Sequence, residues 1–125
     1  MSKSNIKVYG VSIFLERNGK FLAVARRNNP EHFGMAGGKI DAGETPEEAA
    51  IRECKEETGL TLSNPVLIWE GYCGKDYAMT FSGDFSGEAG TQEGEPECRW
   101  VEKEMLFGPP FGEYNRQVFE KLGLL

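Results

Sequence analysis

Apolar and polar residues alternate in the first part of the chain in the way that is typical of β-strands. Residues 6–16 are rich in Val, Ile, Phe and Tyr and partly alternate, which predicts a strand. Asn18-Gly19 follows, and an Asn-Gly pair between apolar runs is the strongest short signal of a hairpin turn. Residues 20–27 (KFLAVARR) then predict the returning strand, and the polar stretch 28–33 predicts a loop.

Glycines dominate residues 35–43 (MAGGKIDAG), and the sequence predicts that a helix begins shortly after them. Thr45 is a good N-cap residue, a proline suits the first turn, and Glu48 completes a capping box. Gly59 is a typical residue at which a helix ends. These signals together predict a helix over residues 46–58, preceded by a glycine-rich loop.

The second half of the chain alternates between predicted strands and turns and ends in a helix. Asn64-Pro65 predicts a break in the chain. Further elements follow in this order: strands at 66–72 and 77–85, a loop at 83–94, a strand at 99–101, a Gly-Pro-Pro turn at 108–110 and an amphipathic helix at 113–122. The order of strands, helix, strands and helix predicts an α+β fold, in which helices pack against a mixed β-sheet.

Length and net charge narrow the functional classes. A chain of 125 residues fits a single domain with its own core, here taken as residues 1–125. The net charge of −6 repels a polyanion, so we expect no nucleic-acid polymer as a partner. A small phosphate substrate stays compatible with this charge when a cation mediates the contact.

The cysteines, the single histidine and the lack of long apolar runs favour a reducing compartment. Cys54, Cys73 and Cys98 have neither metal-ligand nor redox-motif spacing and are predicted to be free thiols. His32 is the only histidine, which disfavours zinc chemistry and a histidine-based triad. The sequence shows no signal peptide and no membrane span, so we expect a cytoplasmic protein without a membrane partner.

Three glutamates of the predicted helix lie on one side of it. Glu53, Glu56 and Glu57 are spaced i, i+3 and i+4, so their carboxylates are neighbours. Like charges at this spacing destabilise a helix by a few tenths of a kcal/mol per pair. One interpretation is a solvated acidic face; the other is a carboxylate cluster for a hard cation such as Mg²⁺. The glycine-rich approach to the helix favours the second.

The segment 38–60, GKIDAGETPEEAAIRECKEETGL, resembles the signature of the Nudix hydrolases, G-x5-E-x7-R-E-U-x-E-E-x-G-U, where U is a bulky apolar residue. The matching residues are Gly38, Glu44, Arg52, Glu53, Glu56, Glu57, Gly59 and Leu60. Cys54 holds the first apolar position. Ala36 departs from the family, which often has proline before the two glycines, but this change removes no metal ligand.

The resemblance implies a fold, a cofactor and a set of ligands. The fold would be the Nudix fold, an α/β/α sandwich with a mixed sheet between helices. Glu53, Glu56 and Glu57 would bind the catalytic Mg²⁺, with Mn²⁺ as the alternative ion. The backbone near Gly38 would contribute a carbonyl to the metal.

The resemblance also implies residues that support and complete this cluster. Arg52 and Glu44 would form an ion pair that steadies the loop and the helix. A glutamate from a later loop would act as base or additional metal ligand, and Glu93, Glu95 and Glu97 are the candidates. We favour Glu97, close to the predicted strand at 99–101, and place Glu93 second.

Cationic residues around the glycine-rich segment are candidates for binding the distal phosphates. Arg26 and Arg27 lie at a predicted strand end, and Lys39 lies in the glycine loop. Surface charge that serves solubility is the alternative interpretation of all three.

Two residues bear on the identity of the substrate. Residues 107–115 (FGPPFGEYN) resemble the proline-containing turn before a base-recognising asparagine in MutT-type nucleotide pyrophosphatases, which implies that Asn115 contacts a purine edge. A polar residue at the start of a helix is the alternative. Tyr77 resembles a tyrosine of diadenosine polyphosphate hydrolases in this superfamily.

The resemblance implies water attack on phosphorus, and we weigh three functions. The first is a MutT-like nucleoside or deoxynucleoside triphosphate pyrophosphohydrolase, which releases a nucleoside monophosphate and pyrophosphate. The second is a dinucleoside polyphosphate, ADP-ribose or nucleotide-sugar hydrolase. The third is a non-catalytic nucleotide-binding module, against which the complete glutamate set argues. Homodimers are frequent in the superfamily, so a homodimer is one expected state.

Overall fold

The computed structural model describes residues 8–125, with side chains from Gly10 onward. In this part of the chain the order of elements is β1 (Val8–Ile13), β2 (Glu16–Arg17), β3 (Lys20–Arg26), β4 (Asn29–Gly34), β5 (Ala36–Lys39), α1 (Pro46–Thr58), β6 (Thr61–Cys73), β7 (Asp76–Ser86), β8 (Cys98–Val101), a 3₁₀ helix (Lys103–Leu106) and α2 (Gly112–Lys121). The predicted strand at 6–16 corresponds to β1 and β2, and residues 6 and 7 lie outside the described residues.

The strands form two sheets. The first has the order β5-β1-β7-β6, in which β1 runs parallel to β7 and the other neighbours are antiparallel. In the second, β3 pairs with β2, β4 and β8, all antiparallel. Helix α1 packs on β1, β5 and β6. This order brings the glycine-containing strand β5 against the helix that carries the acidic residues.

Side chains that alternate along the strands fill two cores, one under each helix. Leu22 of β3 belongs to the core that α1 closes with Cys54, whereas the next residue, Ala23, belongs to the core that α2 closes with Phe119. Period-two alternation in a strand directs successive side chains to opposite faces. The predicted α+β architecture, with sheet between helices, is confirmed.

Helix α1 has the bounds that its local sequence predicts. Thr45 Oγ1 accepts from the backbone N–H of Glu48 at 3.1 Å, and Glu48 Oε1 accepts from the N–H of Thr45 at 2.9 Å. Gly59 ends the helix with φ 82°, in the left-handed region, and its N–H donates to the carbonyl of Lys55. Both helix ends are therefore fixed by neighbouring residues, independently of tertiary packing.

Two predicted loops are strands in the structure. Residues 28–33 were expected to form a loop, but Asn29–Gly34 forms β4, because backbone pairing with β3 needs no apolar side chains at its exposed positions. Within the glycine-rich segment, Ala36–Lys39 forms β5 on β1. A Cβ at Gly37 would overlap the carbonyl of Val11, so glycine permits this close pairing.

The predicted break at Asn64-Pro65 is wrong. Strand β6 runs through it, with a bulge between Ser63 and Val66 where Asn64 takes a φ of 50°. An edge strand tolerates a proline because the missing N–H is not required by a second neighbour. The predicted loop at 83–94 also begins later, since β7 continues to Ser86.

Candidate active site

The acidic side of α1 faces strand β5 and is partly withdrawn from solvent. Glu53 is 13% exposed in its side chain, Glu57 is half-buried, and Glu56 is 52% exposed. The opposite side of the helix, with Ala50 and Cys54, lies fully in the core. Burial of one helix face therefore presents two of the three glutamates to the glycine strand.

Arg52 joins the helix to the loop before it. Its guanidinium contacts one carbonyl and four carboxylates: Lys39 O (3.0 Å), Asp41 (3.5 Å), Glu44 (2.6 and 3.0 Å), Glu53 (3.2 Å) and Glu56 (3.1 Å). The Arg52–Glu44 pair that the resemblance implies is thus present. A single planar cation with five donors suits so many acceptors, which a lysine could not match.

Strand β5 touches the glutamates through its backbone. Gly37 N–H donates to Glu57 Oε1 at 2.8 Å. At Gly38 a Cβ would overlap the carboxylate of Glu53, so the absence of a side chain there makes room for that group. The two glycines therefore let the backbone approach both carboxylates.

Burial, with a smaller contribution from neighbouring like charges, raises the pKa of two of these glutamates. Burial raises the pKa of Glu57 to about 7, the N–H of Gly37 opposes this, and the charges of Glu53 and Glu95 add to it. Burial also raises the pKa of Glu53, whereas Arg52 lowers it. A half-buried carboxylate group with too few cations is an environment that a bound divalent cation would relieve.

The three loop glutamates lie in different surroundings. Glu95 is the one whose charge acts on Glu53 and Glu57, and its side chain is 25% exposed. Glu97, which the sequence analysis favoured, instead accepts from Arg99 Nε at 3.0 Å and is half exposed. Glu93 makes no side-chain hydrogen bond among the described residues and is exposed. Of the three, Glu95 is therefore the one near enough for its charge to act on both Glu53 and Glu57.

A cleft of about 420 Å³ begins beside the acidic cluster and extends to the start of α2. Four of the substrate-binding candidates, Arg26, Lys39, Tyr77 and Asn115, line it together with Gly37 and Gly38. Arg27 does not line this cleft; its Nη2 lies 3.0 Å from Glu95 Oε1. The volume falls in the range of small-molecule sites.

Arg26 contributes a half-buried guanidinium to the wall of the cleft. Its guanidinium stacks on the ring of Phe111 at 4.7 Å, and a Cβ at Gly34 would overlap it. Its buried Nε has no hydrogen-bond partner among residues 8–125. Burial lowers the pKa of Arg26, although Cys73 and Glu57 counteract this. A half-buried guanidinium whose Nε has no partner in the described part of the chain is suited to an anionic ligand.

Two further candidates, Asn115 and Tyr77, already hold protein partners. Asn115 is buried, and its Nδ2 donates to the carbonyl of Leu106 at 2.8 Å, which fixes the orientation of its amide. Tyr77 donates its hydroxyl to Glu70 Oε1 at 3.0 Å and packs edge-on against Tyr72. Each residue therefore has a structural role in addition to its position in the cleft.

Sequence reasoning missed several residues that line the cleft, among them Asp76, Phe111 and Tyr114. Phe111 is the N-cap residue of α2, Tyr114 lies within α2, and Asp76 begins β7. Tyr114 could have been expected, since its position next to Asn115 places it near any ligand of that residue. Asp76 and Phe111 carry no sequence signal, because only tertiary packing brings them to the cleft.

A family model for the NUDIX domain matches residues 7–122. The chain belongs to the Nudix family. The family assignment made from the signature at 38–60 is thereby confirmed, and the match extends over nearly the whole chain.

Several proteins of known sequence or structure are similar to this Nudix chain. It is 35% identical over 121 residues to an 8-oxo-dGTP diphosphatase of Escherichia coli, which covers 90% of this chain and 92% of that protein. It is 50% identical over 48 residues to an ADP-ribose pyrophosphatase of Methanocaldococcus jannaschii, but this match covers 37% of the chain and only 28% of the length of the archaeal protein.

The fold has solved counterparts. The crystal structure of a MutT NUDIX hydrolase from Burkholderia pseudomallei superposes with a TM-score of 0.74 at 26% identity, over 93% of this chain and 98% of that one. The Nudix fold predicted from the resemblance is therefore confirmed. No helix in residues 8–125 is both long and apolar enough to cross a membrane.

Proposed function

We propose that this chain hydrolyses a phosphoanhydride bond in nucleoside diphosphate derivatives, and that nucleoside or deoxynucleoside triphosphates are its substrates. One observation carries the proposal. A single cleft is lined by Gly37 and Gly38, which adjoin Glu57 and Glu53, and also by the half-buried guanidinium of Arg26 and by Asn115. A cation for phosphates and an amide for a base thus line one cavity, and carboxylates for a divalent cation adjoin the glycines of its wall.

The acidic cluster fits a hard divalent cation in its chemistry. In residues 8–125 no three Asp, Glu, His or Cys side chains converge on one ion-sized point, since Arg52 binds Glu53 and Glu56. The donors are nevertheless all oxygen atoms. Burial raises the pKa of Glu53 and of Glu57, and a bound cation would oppose this rise. Mg²⁺, or Mn²⁺ in its place, would be held by Glu53, Glu56, Glu57 and Glu95, with the carbonyl of Gly38.

The cation supplies charge neutralisation of the phosphates and a lowered pKa of water. The protein does the rest. Arg26 and Lys39 bind the phosphates, and Arg52 holds the loop and helix in register through Glu44. Glu95 accepts a proton from the attacking water. At the same time the water oxygen bonds to phosphorus and the bridging P–O bond breaks. The leaving group departs with that bridging oxygen.

The substrate class is argued from the relatives and from the far end of the cleft. The Escherichia coli relative is named an 8-oxo-dGTP diphosphatase and matches over nearly its full length. Asn115 lines the cleft, and the bond from Nδ2 to Leu106 leaves its Oδ1 and second N–H for another partner, so a purine edge is the proposed contact. Cleavage would then give a nucleoside monophosphate and pyrophosphate.

A second candidate is hydrolysis of ADP-ribose, which the 50% identity to the archaeal ADP-ribose pyrophosphatase favours. That identity is confined to 48 residues, whereas the diphosphatase match covers 121. Triphosphates are therefore the first candidate. Dinucleoside polyphosphates, which the resemblance of Tyr77 suggests, are included in the test as further substrates.

The test is a substrate panel with Mg²⁺, separated by chromatography. It contains unmodified and oxidised dNTPs, NTPs, ADP-ribose, nucleotide sugars and diadenosine polyphosphates, and Glu57→Gln is the matched control. We expect metal-dependent release of monophosphate and pyrophosphate from triphosphates, and at least a 100-fold loss in the variant. Turnover confined to ADP-ribose or diadenosine polyphosphates would overturn the substrate class. Ligand binding without any turnover would establish a non-catalytic module instead.

The cellular setting follows from the same features. We infer a cytoplasmic protein of one domain, residues 1–125, because Cys54, Cys73 and Cys98 are free thiols. The partner is a small nucleotide, not a nucleic-acid polymer, given the net charge of −6. The homodimer stays a prediction, which sedimentation equilibrium would check.

A further inference from the structure

Arg27 and Glu95 form an ion pair between distant parts of the chain. Arg27 directly follows β3, and Glu95 lies in the loop between β7 and β8. Arg27 Nη2 lies 3.0 Å from Glu95 Oε1, while Glu95 Oε2 takes no side-chain contact in the described part of the chain. One oxygen of this carboxylate is therefore held and the other is available.

The loop that carries Glu95 is already anchored through its backbone. Ala25 N–H donates to the carbonyl of Glu97 at 2.8 Å, and Glu95 N–H donates to the carbonyl of Gln92 at 3.0 Å. These bonds fix where the loop runs but not where the Glu95 side chain points. The contact with Arg27 is what fixes the carboxylate.

Repulsion makes such a contact necessary. The charge of Glu95 acts on both Glu53 and Glu57, which are half-buried and carry the same sign. Without a counter-charge, the Glu95 side chain would turn away into solvent. Arg27 supplies that counter-charge, and its charge also reaches Glu57.

Arg27 is badly placed to bind the phosphates of a substrate. It is absent from the lining of the 420 Å³ cleft, whereas its neighbour Arg26 lines that cleft. Arg27 lines a second, more open hollow of about 270 Å³ together with Glu95 and Pro96, and Arg26 borders that hollow as well. Of the two adjacent arginines, Arg26 therefore reaches the cleft and Arg27 pairs with Glu95.

We propose that Arg27 is a positioning residue, which holds the Glu95 carboxylate beside Glu53 and Glu57 through its ion pair and does not bind the substrate phosphates. This replaces the phosphate-binding role predicted for Arg27 from the sequence. The inference rests on the proposed function, because it assigns Glu95 to the same acidic site.

The test is a double-mutant cycle of Arg27→Ala and Glu95→Gln, read in kcat and KM with the best substrate of the panel. We expect Arg27→Ala to lower kcat about 10- to 100-fold with KM changed less than about threefold. In the Glu95→Gln background the same change should have no further effect, because the group it positions is gone. An increase in KM of equal size in both backgrounds would assign Arg27 to the phosphates and overturn the proposal.

Binding of Mn²⁺, measured by electron paramagnetic resonance without substrate, gives a second readout. Loss of a nearby positive charge would by itself tighten binding of a cation. Loss of a positioning contact should weaken it, about tenfold, and equally in Arg27→Ala and Glu95→Gln. Tighter Mn²⁺ binding in Arg27→Ala would therefore refute positioning.

Control variants separate the proposal from general effects on charge and folding. Arg99→Ala removes an ion pair of the same 3.0 Å length from the same region and should leave kcat, KM and Mn²⁺ binding within about twofold of wild type. Arg27→Lys should recover most of the loss, since it restores the charge.

Failure of the proposed function is distinguishable from failure of this inference. If wild type turns over no nucleotide, the Mn²⁺ cycle still decides whether Arg27 acts through Glu95. If wild type binds no Mn²⁺, the free energies of unfolding in urea with EDTA are compared for Arg27→Ala, Glu95→Gln and the double variant. Additive effects of the two substitutions would show that the ion pair does not form and would overturn the inference. If wild type is active and Arg27→Ala matches it in kcat and Mn²⁺ affinity, only the inference fails.

Discussion

Arg52 holds Glu44 with two nearly parallel hydrogen bonds, Nε to Oε2 at 2.6 Å and Nη2 to Oε1 at 3.0 Å. This paired contact holds the pKa of Glu44 below its usual range and raises that of Arg52. A bidentate pair fixes direction as well as distance. The loop after β5 therefore keeps a defined position relative to α1.

Replacing Arg52 by lysine should cost activity although the charge is kept. Lysine cannot reproduce the two-pronged contact with Glu44 and also reach the carbonyl of Lys39. We expect kcat/KM to fall about tenfold or more and the urea midpoint to drop. Arg99→Lys, which alters a more exposed pair, is the control and should keep both values near wild type. An Arg52→Lys variant with wild-type kcat/KM would contradict the role given to this contact.

Substituting alanine at Gly38 should displace Glu53. The added Cβ would overlap the Glu53 carboxylate, which must move by about an ångström or more. A displacement of that size costs on the order of 100-fold in rate. Gly90→Ala is the matched control, since a Cβ there meets nothing within 4 Å, and it should retain activity. Steady-state kinetics on both variants, with circular dichroism to verify folding, makes the comparison.

Glu57→Gln should stabilise the metal-free protein and abolish its response to Mg²⁺. In EDTA the variant removes a half-buried charge that Glu53 and Glu95 oppose, while its amide oxygen still accepts from Gly37. We expect a gain of about 1 kcal/mol in unfolding free energy. Wild type should gain stability with added Mg²⁺ by mass action, and the variant should gain little. Thermal unfolding with and without Mg²⁺ measures both; a variant less stable than wild type in EDTA would count against this account.

Alkaline pH should reveal the buried phenol of Tyr114. Burial raises the pKa of Tyr114 to about 12, although the hydrogen bond with Thr80 opposes this. The unfolded chain loses that proton near pH 10. Stability contributed by the folded phenol is therefore intact below about pH 10 and is lost as pH rises towards 12. Tyr114→Phe should flatten this decline while costing about 1 kcal/mol at pH 8. The measurement is the urea midpoint of wild type and of Tyr114→Phe as a function of pH. Identical declines of the two proteins at alkaline pH would contradict the prediction.

Asn115 should prove important for stability as well as for the choice of base. Alanine there would leave the carbonyl of Leu106 without its donor in a buried setting, at a cost of about 1–3 kcal/mol. The same variant should discriminate less between different purine triphosphates. Competition assays report selectivity and urea unfolding reports stability. If selectivity stays unchanged while stability falls, Asn115 serves the fold alone.

How far the sequence predicted the molecule depends on whether the signals were local. Helix α1 was predicted to the residue, because Thr45, Glu48 and Gly59 fix its ends through neighbours in sequence. Strand β4 was missed, because Asn29–Gly34 is polar where it faces solvent and gains its form from pairing with β3. The same holds for β6, where long-range pairing with β7 outweighs the local tendency of Asn64-Pro65.

The candidate site divides along the same line. The glutamates of α1 share one helix, so their spacing alone predicted that they are neighbours. Glu95 and Glu97 are two residues apart in a loop, and no local rule distinguishes their directions. Hydrogen bonds to β3 and the contacts with Arg27 and Arg99 set those directions in the folded protein. The family resemblance therefore predicted a loop glutamate but could not choose among three.

The bulge at Asn64 affects the tendency of the protein to aggregate with other copies of itself. Strand β6 is long and lies at the outer border of its sheet, with Val66 and Leu67 exposed. A flat border of that kind would be a template on which further chains add strand by strand. The left-handed kink at Asn64 and the absent donor at Pro65 interrupt this edge in the first half of the strand. The Asn64-Pro65 pair, which the sequence predicts to be a break in the chain, thus hinders the growth of fibres by strand addition.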